Sequence, residues 1–574
     1  MSQDNSDVVV DRGAARLDDL WRKEDYWAIW IGFFIIAVAI FLVFSNRSGI
    51  EAKYNEYAAI INAEKAKPIK TIELINAQAA QKAIQGQKLP AMKALIDVLK
   101  TPARWKSNPL EALYLSEADA RARSAAAQPA VDNAKQAEAT ALEAATAAQA
   151  LAAGADFRDE SLNAQATEAI GAWQKAKKAT ADASKKLVKP FNRIPGLIIL
   201  GLALAVLCSI GAIFMGFNVG RFFVAFLCVY LICIVANILG NQVTMRKYGL
   251  NAEIWSIALG MIWANTIGTP QLLKEGSQVE YYIKTGLVLL GAEVLFHKIM
   301  AIGIPGIFVA WVVTPIVLIS TYIFGQKVIK MPSRTLNIVI SADMSVCGTS
   351  AAIATAAAAR AKKEELTLSI GLSLTFTAIM MVAMPAFIAW VGMPEILGGA
   401  WIGGTVDATG AVAAAGAFIG PKALEVATVI KMIQNVLIGV TAFCVALYWT
   451  TKIDVGENEH VGLIEIWNRF PKFVIGFLTV SIVMSILSAN VAPYGAMLVD
   501  QGTNRVSVPL RGWFFALAFV SIGLTTNFRE LGKYFRGGKP VILYVCGQSF
   551  NLCLTLLMAW LMFYKVFPEI TAKI

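Results

Sequence analysis

Long apolar runs recur along the chain, and they restrict its possible folds more than any other feature. The first run covers residues 26–44, and the others lie between residues 194 and 565. An α-helix needs about 20 apolar residues to cross the hydrocarbon layer. The sequence therefore predicts an all-α polytopic membrane protein with about thirteen transmembrane helices. The predicted spans are 26–44, 194–213, 221–239, 250–268, 279–297, 302–325, 334–358, 365–391, 396–418, 425–449, 472–488, 508–527 and 540–565.

Composition agrees with this class. Hydrophobic residues make up 57% of the chain and charged residues only 16%, whereas a soluble protein carries about a quarter charged residues. The net charge is +11, and many of the Lys and Arg residues lie in the short loops between apolar runs, where topology signals usually lie. We therefore expect the lipid bilayer as a partner and no nucleic acid.

Enzyme and cofactor motifs are missing from the sequence. The two histidines, His297 and His460, stand alone near the ends of apolar runs, so neither a histidine metal site nor a hydrolase triad is easily built. No P-loop is present. The chain is therefore expected not to be an enzyme and to hold no cofactor or metal, so that any work must come from a gradient of Na⁺, H⁺ or solute.

Positive charge predicts the orientation. Arg12, Arg16, Arg22 and Lys23 precede the first span, and such charge tends to stay cytoplasmic. Loop groups at 246–247 and 360–363 oppose this orientation, but most support it. The expected location is a bacterial inner membrane with a cytoplasmic N-terminus and residues 49–189 on the periplasmic side. The predicted domains are a cytoplasmic segment (1–25), an anchor helix (26–44), an extracytoplasmic Ala-rich helical domain (45–192), two additional transmembrane helices (193–248) and two repeats (249–394 and 395–574).

The predicted outer domain is rich in Ala, Glu, Lys and Gln, all good helix formers. Its helical pattern is interrupted at Pro90, Pro102, Pro109, Pro129 and Gly154, residues that break or end helices. Long antiparallel helices are therefore expected. They suit an oligomerisation arm or a docking site for a partner, or else a plain helical spacer.

Two glycine-containing polar segments interrupt the apolar spans. In 341–350, Ser345, Cys347, Thr349 and Ser350 surround Gly348; in 519–528, Ser521, Thr525 and Thr526 surround Gly523. A glycine among hydroxyls at membrane depth indicates an interrupted helix whose freed N–H groups hold an anion. The alternative is a packing face of small residues.

The positions of these two segments suggest an internal repeat. Each lies in the fourth span of a group of five, 250–391 or 396–565, and two groups with an odd number of helices have opposite topologies. The sequence therefore predicts a 5+5 inverted-repeat core with two crossed discontinuous helices.

A third polar segment, 399–410, places Asp407 about midway along an apolar run. In the next span Lys431, Gln434 and Asn435 follow at i, i+3 and i+4, which puts them on one helical face. An ionisable residue at this depth is a functional candidate. Either Asp407 and Lys431 form a buried pair, or Lys431 balances the charge of an anionic substrate while Asp407 binds Na⁺ or H⁺.

These segments give the candidate site. The ion-coupling candidates are Asp343 and Asp407. The substrate-binding candidates are Ser345, Cys347, Gly348, Thr349, Ser350, Thr405, Thr409, Lys431, Asn435, Ser521, Gly523, Thr525 and Thr526.

Several of these residues form motifs in a family-like order. They are Cys347-Gly348, Gly404-Thr405-Val406, the stretch 412–416, Lys431-Met432 and the stretch 523–526. In these motifs, over roughly residues 250–565, the chain resembles the sulfate exporter family of conserved membrane proteins (YeiH-like, UPF0324), grouped with cation–proton antiporters and anion transporters. The resemblance implies crossed discontinuous helices in 334–358 and 508–527, elevator-like alternating access and a homodimer.

The chain also departs from that family. Members similar to it commonly carry a His-Glu pair where this chain has Asp407-Ala408, and a small residue where it has Asp343. Carboxylates at both positions make a coupling cation more plausible for this chain than for those members.

Three functional hypotheses follow. The leading one is a secondary active transporter of a small anion: a sulfur oxyanion such as sulfate or sulfite, a small carboxylate, or bicarbonate. The second is a cation–proton antiporter that uses Asp343 and Asp407. The third is a membrane receptor or scaffold in which the outer helical domain docks a partner.

Overall fold

The computed structural model describes residues 17–45, 47–85, 90–247, 250, 252–293, 296–453, 471–491, 494–531, 538–572 and 574. His460 and the basic residues Arg12 and Arg16 lie outside these ranges. The first eight helices are α1 (Asp19–Arg22), α2 (Glu24–Phe44), α3 (Arg47–Lys65), α4 (Ile72–Gln85), α5 (Pro90–Val98), α6 (Glu117–Ser124), α7 (Gln128–Gly154) and α8 (Glu160–Ser184). Two short strands, β1 (Tyr114–Leu115) and β2 (Phe191–Asn192), pair antiparallel, with Leu115 opposite Phe191.

The remaining helices form the apolar part of the chain. They are α9 (Ile194–Phe214), α10 (Val219–Gly240), α11 (Val243–Lys247), α12 (Ala252–Thr266), α13 (Gln271–Gly276), α14 (Val279–Leu290), α15 (Phe296–Ile307), α16 (Val313–Phe324), α17 (Arg334–Ala342), α18 (Thr349–Ala358), α19 (Lys363–Trp390), α20 (Glu395–Thr405), α21 (Thr409–Ile419), α22 (Pro421–Asn435), α23 (Leu437–Tyr448), α24 (Phe473–Asn490), α25 (Tyr494–Met497), α26 (Val508–Thr525), α27 (Phe528–Leu531), α28 (Lys539–Trp560) and α29 (Pro568–Thr571). Short π-helical segments extend several of them, as at Phe308–Val312 and Leu498–Ser507.

Nine helices in the described part of the chain are long and apolar enough to cross a membrane. They match nine of the predicted spans. The other four spans are present as the shorter helices α12 and α14 and as two helix pairs, α17 with α18 and α20 with α21. The protein is therefore an all-α polytopic membrane protein, and the count of thirteen crossings stays a prediction.

The helix break predicted in span 334–358 is present, but the one predicted in span 508–527 is wrong. The first lies between α17 and α18, at Asp343–Gly348. Helix α26 runs without interruption from Val508 to Thr525. The second break lies instead between α20 and α21, at residues 406–408.

Helix α26 stays intact because its polar residues are satisfied within it. Ser521 Oγ donates to Leu517 O at 2.7 Å, and Thr525 Oγ1 donates to Ser521 O at 2.9 Å. Such bonds to the preceding turn leave the backbone ladder in place. Gly523 allows close packing: a Cβ there would lie 2.4 Å from Ile257 O and 2.8 Å from Gly260 Cα.

The chain divides into two compact units. One comprises Ile36–Leu200 and Ile486–Pro509. Its main feature is the pair α7 and α8, which pack along each other across the short connection 155–159, the helix type predicted for this region. Their core holds Ala145, Ala166 and Trp173, so small alanines allow close helix approach while one large ring fills the space.

The other unit comprises Met1–Ile35, Gly201–Ser485 and Leu510–Ile574, and it contains two helix bundles. The flanking bundle consists of α10, α12–α14 and the parts of α2, α9, α24 and α26 within this unit. Glycines bring its helices together: a Cβ on Gly32 would lie 2.4 Å from Val288, and one on Gly286 would lie 2.5 Å from Phe515.

The broken-helix bundle consists of α15–α23 and α28. Close packing again depends on glycine, since a Cβ on Gly399 would lie 2.6 Å from Ala423 O. The two bundles meet along the Ala- and Gly-rich helix α21, which contacts α12 and α14. At Gly410 a Cβ would lie 3.4 Å from Ile522 Cδ1.

Candidate functional site

The first helix break requires a glycine. After the π-helical turn Asp343–Cys347, Gly348 has φ +55° and ψ −130°, a conformation that other residues rarely adopt. A Cβ at this position would lie 3.2 Å from Ser373 Oγ and 3.3 Å from Asp407 Cβ. The glycine therefore both turns the chain and lets the second break approach the first.

The second break is an extended connection of three residues. Val406 and Ala408 have extended backbone angles, and α21 begins at Thr409. No side chain caps the N-terminus of α18 or of α21. The two N-termini lie close together, because Cys347 Sγ is 4.0 Å from Thr409 Oγ1. Two positive helix-dipole ends thus meet at one place.

Long polar side chains cap the carbonyl groups exposed at the breaks. Gln434 Nε2 donates to Ser345 O at 3.0 Å and to Gly404 O at 3.3 Å, and therefore joins the first break to the second. Lys431 Nζ donates to Val346 O and to Gln434 Oε1, both at 2.8 Å. The breaks are thus held in one network of buried hydrogen bonds.

Two residues of α28 complete this network. Gln548 Nε2 donates to Thr405 O at 2.9 Å, and Asn551 Nδ2 donates to Met344 O at 3.3 Å. Each of these carbonyls would otherwise lack its helical partner, which is costly in a buried site. The bonds therefore fix the shape of both breaks.

Two buried carboxylates lie beside the breaks. Asp343 is fully buried, and its Oδ2 accepts a hydrogen bond from Ser369 Oγ at 2.6 Å. Asp407 Oδ2 accepts hydrogen bonds from Tyr544 Oη and from Ser373 Oγ, the latter at 3.4 Å. Both carboxylates thus face a ladder of hydroxyls on α19.

Of the two alternatives for Asp407 and Lys431, the buried pair is not formed. Lys431 Nζ binds the carbonyl of Val346 and the amide of Gln434 instead. One turn further along α22, Asn435 Nδ2 donates to Thr409 Oγ1 at 3.2 Å, and Asn435 Oδ1 has no partner. Lys431 therefore lies behind the N-termini of α18 and α21, and Asn435 lies beside them.

A cavity of about 200 Å³ reaches this place from the flanking bundle. Its inner wall contains Cys347, Ser350, Thr409 and Asn435. Ser350 is exposed, whereas the other three are buried. A solute in the cavity would meet the N-terminal ends of both half-helices α18 and α21.

Charged residues line the mouth of the cavity. Lys284 Nζ lies 2.5 Å from Asp25 Oδ1, 3.0 Å from Glu24 Oε1 and 3.5 Å from Glu280 Oε2. The backbone N–H of Lys472 donates to the same Asp25 at 2.9 Å. These bonds tie α2, α14 and the start of α24 together at the mouth.

The candidate residues of α26 belong to a different contact. The hydroxyls of Ser521, Thr525 and Thr526 donate to carbonyls of their own helix. Across the helix interface, Asn265 Nδ2 donates to Thr526 O at 2.9 Å. Among the described residues, no hydrogen bond links them to the breaks, and a Cβ at Gly523 would meet α12.

The other candidates lie at the breaks. Ser345 and Thr405 bond to carbonyls of the preceding turn, at Ser341 and Trp401. Thr349 is exposed at the start of α18. Their hydroxyls thus shape or border the breaks.

Sequence reasoning missed several residues of the network. Gln548, Asn551 and Thr555 lie on one face of α28, and Ser369 and Ser373 lie four residues apart on α19. Polar residues at helical spacing in an apolar run were the available signal.

Comparison with known proteins places the chain in a family. A family model described as conserved hypothetical protein 698 matches residues 224–544. A UPF0324 membrane protein of Nitratidesulfovibrio vulgaris is 57% identical over 579 residues, which cover 100% of both chains. A UPF0324 membrane protein of Rhodopirellula baltica is 52% identical over 66% of this chain and 69% of its own.

A more distant relative is the UPF0324 inner membrane protein YeiH of Escherichia coli, 28% identical over 53% of this chain and 84% of its own. No solved structure matches the chain. The family model covers more than half of the chain, and the similarity to the Nitratidesulfovibrio protein extends over its whole length. This multi-pass membrane protein therefore belongs to the UPF0324 family, as the sequence motifs predicted.

Proposed function

We propose that the protein is a secondary active transporter of a small anion. One observation carries this proposal: a cavity ends where the uncapped N-termini of α18 and α21 converge. Helix N-termini bind anions through free N–H groups and the positive end of the helix dipole. A volume of about 200 Å³ suits a sulfur oxyanion such as sulfate or sulfite, bicarbonate or a small carboxylate.

The residues around the cavity have separate roles in this proposal. Thr349, Ser350 and Thr409 offer hydroxyls at the first turns of the two half-helices, and Asn435 positions Thr409. Lys431 adds positive charge from behind. Because Lys431 is buried, its surroundings screen its charge less than water would, and the charge can attract an anion without direct contact.

The two bundles support an elevator-like mechanism. Both breaks and their carbonyl caps lie within the broken-helix bundle, so the binding site can move with it as one body. The contact with the flanking bundle runs along α21, where small residues such as Gly410 present a smooth surface. Movement along this surface would expose the site to each side in turn.

Coupling to a cation gradient is part of the proposal. Asp343 and Asp407 are buried within the moving bundle and lie beside the anion site, so that either can carry Na⁺ or H⁺. We further propose that the protein is a homodimer of the bacterial inner membrane with a cytoplasmic N-terminus. The cavity mouth, which includes the first turn of α2, would then face the cytoplasm.

Transport in proteoliposomes tests the function. Purified protein is reconstituted, and uptake of sulfite, sulfate, bicarbonate and acetate is measured under imposed Na⁺ and pH gradients. Loss of a hydrogen bond to a charged ligand costs about 1.5–3 kcal/mol. Thr409→Val should therefore weaken apparent affinity about tenfold or more.

Thr525→Val is the matched control, because this hydroxyl binds only its own helix. It should transport like the natural protein. If none of the anions moves under any gradient, the proposal fails. Cation–proton exchange without anion movement would instead favour a cation–proton antiporter.

A further inference from the structure

We infer that the coupling ion is a proton, held by Asp343 and Asp407, and that it crosses the membrane together with the anion. This inference rests on the proposed function and deepens it. It depends on three features of the breaks: side chains already donate to their carbonyls, hydroxyls and no described Lys or Arg side chain bind their carboxylates, and one carboxylate lies next to the anion site.

The capped carbonyls argue against a sodium site. In sodium-coupled transporters with broken helices, unwound carbonyls and half-helix C-terminal ends coordinate the ion. Here four side chains already donate to five of these carbonyls. The carbonyls are those of Met344, Ser345, Val346, Gly404 and Thr405, and the donors are Asn551, Gln434, Lys431 and Gln548.

Lys431 supplies the positive charge that a sodium ion would bring. Lys431 is 1% exposed, and its Nζ lies 2.8 Å from Val346 O in the π-helical turn that ends the first half-helix. Gln434 links it to the C-terminal end of α20 through Gly404 O. A fixed ammonium compensates these negative dipole ends permanently, so the breaks already hold the positive charge that a mobile cation would bring there.

The two carboxylates are held by neutral donors. Hydroxyls of Ser369, Ser373 and Tyr544 bind their Oδ2 atoms, and Asp343 Oδ1 has no partner. No described Lys or Arg forms an ion pair with Asp343 or Asp407. The titratable groups that interact with this pair from neighbouring elements are Lys431, Cys347 and Tyr544, and Glu280 in turn interacts with Cys347 across the cavity.

A proton fits this environment because it needs no coordination shell. One H⁺ adds to one carboxylate oxygen and gives a neutral carboxylic acid, which buried surroundings accept at low cost. The unpartnered Asp343 Oδ1 is an atom that can receive it. The proton is released as H⁺ when the site opens to the other side.

The position of Asp407 sets the direction of coupling. Asp407 precedes the first residue of α21 by two positions, so its negative charge would repel an anion at that N-terminus. Protonation of either carboxyl lowers the negative charge of the pair by one and so weakens this repulsion. Anion and proton therefore bind together and leave together, which is symport.

The test uses proteoliposomes in sodium-free buffer with a pH dye inside. Sulfate serves as the first probe because it does not cross protein-free membranes, and sulfite, bicarbonate and acetate follow with protein-free vesicles as controls. An acidic exterior should drive uphill anion uptake, and adding anion at equal pH should acidify the interior. A sodium gradient at equal pH should drive no accumulation.

Asp343→Asn should lose both the anion accumulation that the pH gradient drives and the acidification of the interior. Asp182→Asn, an exposed residue of the helical domain, is the matched control and should behave like the natural protein. The dye measurement on the natural protein needs no variant, so the test stands even if Asp343→Asn does not fold.

Two results would overturn the inference while leaving the proposed function intact. One is anion uptake driven by sodium and not by pH, and the other is alkalinisation of the interior during uptake. Absence of any anion flux would instead refute the proposed function itself.

Discussion

Replacement of Gln434 by leucine should destabilise the protein more than any other single amide change at the breaks. The side chain donates to Ser345 O and Gly404 O and accepts from Lys431 Nζ. Leucine has a similar volume but leaves two buried carbonyls without their donor. Each unsatisfied buried group costs about 1–3 kcal/mol, so the loss should be about 2–6 kcal/mol.

A graded series isolates the cause. Gln548→Leu removes the donor of one carbonyl, Thr405 O, and should cost about 1–3 kcal/mol. Gln128→Leu is the control, because this exposed amide binds only Asp132; surface changes stay within about 0.5 kcal/mol.

The assay is the apparent melting temperature in detergent, with all variants measured under one protocol. The expected order of destabilisation is Gln434→Leu, then Gln548→Leu, then Gln128→Leu with almost no change. A Gln434→Leu protein as stable as the Gln128→Leu protein would refute the assignment of Gln434 as the link between the two breaks.

Three further predictions concern packing and charge. Gly523→Ala should lower the melting temperature strongly, since a Cβ there meets backbone atoms of α12, whereas Gly512→Ala, with open space around it, should not. Trp173→Ala should cost about 3–5 kcal/mol and raise amide hydrogen exchange in α7 and α8; unchanged exchange would contradict its role in their core. Partial burial raises the pKa of the Glu64 carboxyl, but hydrogen bonds from Lys67 and Thr71 and the charge of Lys67 more than offset this and hold the pKa below its usual value. Glu64 therefore stabilises the fold at pH values above its unfolded pKa, and this stabilisation is lost as the pH falls through its folded pKa. The melting temperatures of the natural protein and of Glu64→Gln should therefore converge on acidification. A difference in melting temperature that stays constant with pH would contradict this role of Glu64.

The sequence predicted the membrane class and most spans because an apolar run of about twenty residues has few other uses. It also predicted the break at Gly348, where a glycine among hydroxyls does mark a turn that other residues rarely adopt. The same residue types led to the wrong prediction of a break at Gly523. There the glycine allows close contact with Gly260, and the hydroxyls form hydrogen bonds within an unbroken helix.

The second break, at 406–408, was not predicted although Asp407 was singled out. Its stability depends on donors far away in the sequence, such as Gln548, and a local pattern does not reveal them. The same reason explains the unformed pair of Asp407 and Lys431. Both residues are buried on neighbouring elements, but each finds partners whose positions only the fold determines.

Labelling of Cys347 tests the account most directly, because its thiol lies on the inner wall of the cavity beside Thr409. The measurement uses a variant in which the other six cysteines are replaced, together with a small, membrane-impermeant, negatively charged thiol reagent applied to oriented vesicles. We predict that the reagent modifies Cys347 from the side of the cavity mouth and that the transported anion slows the reaction. Labelling at the same rate with and without each anion, or no labelling from either side, would contradict an anion pathway that ends between α18 and α21.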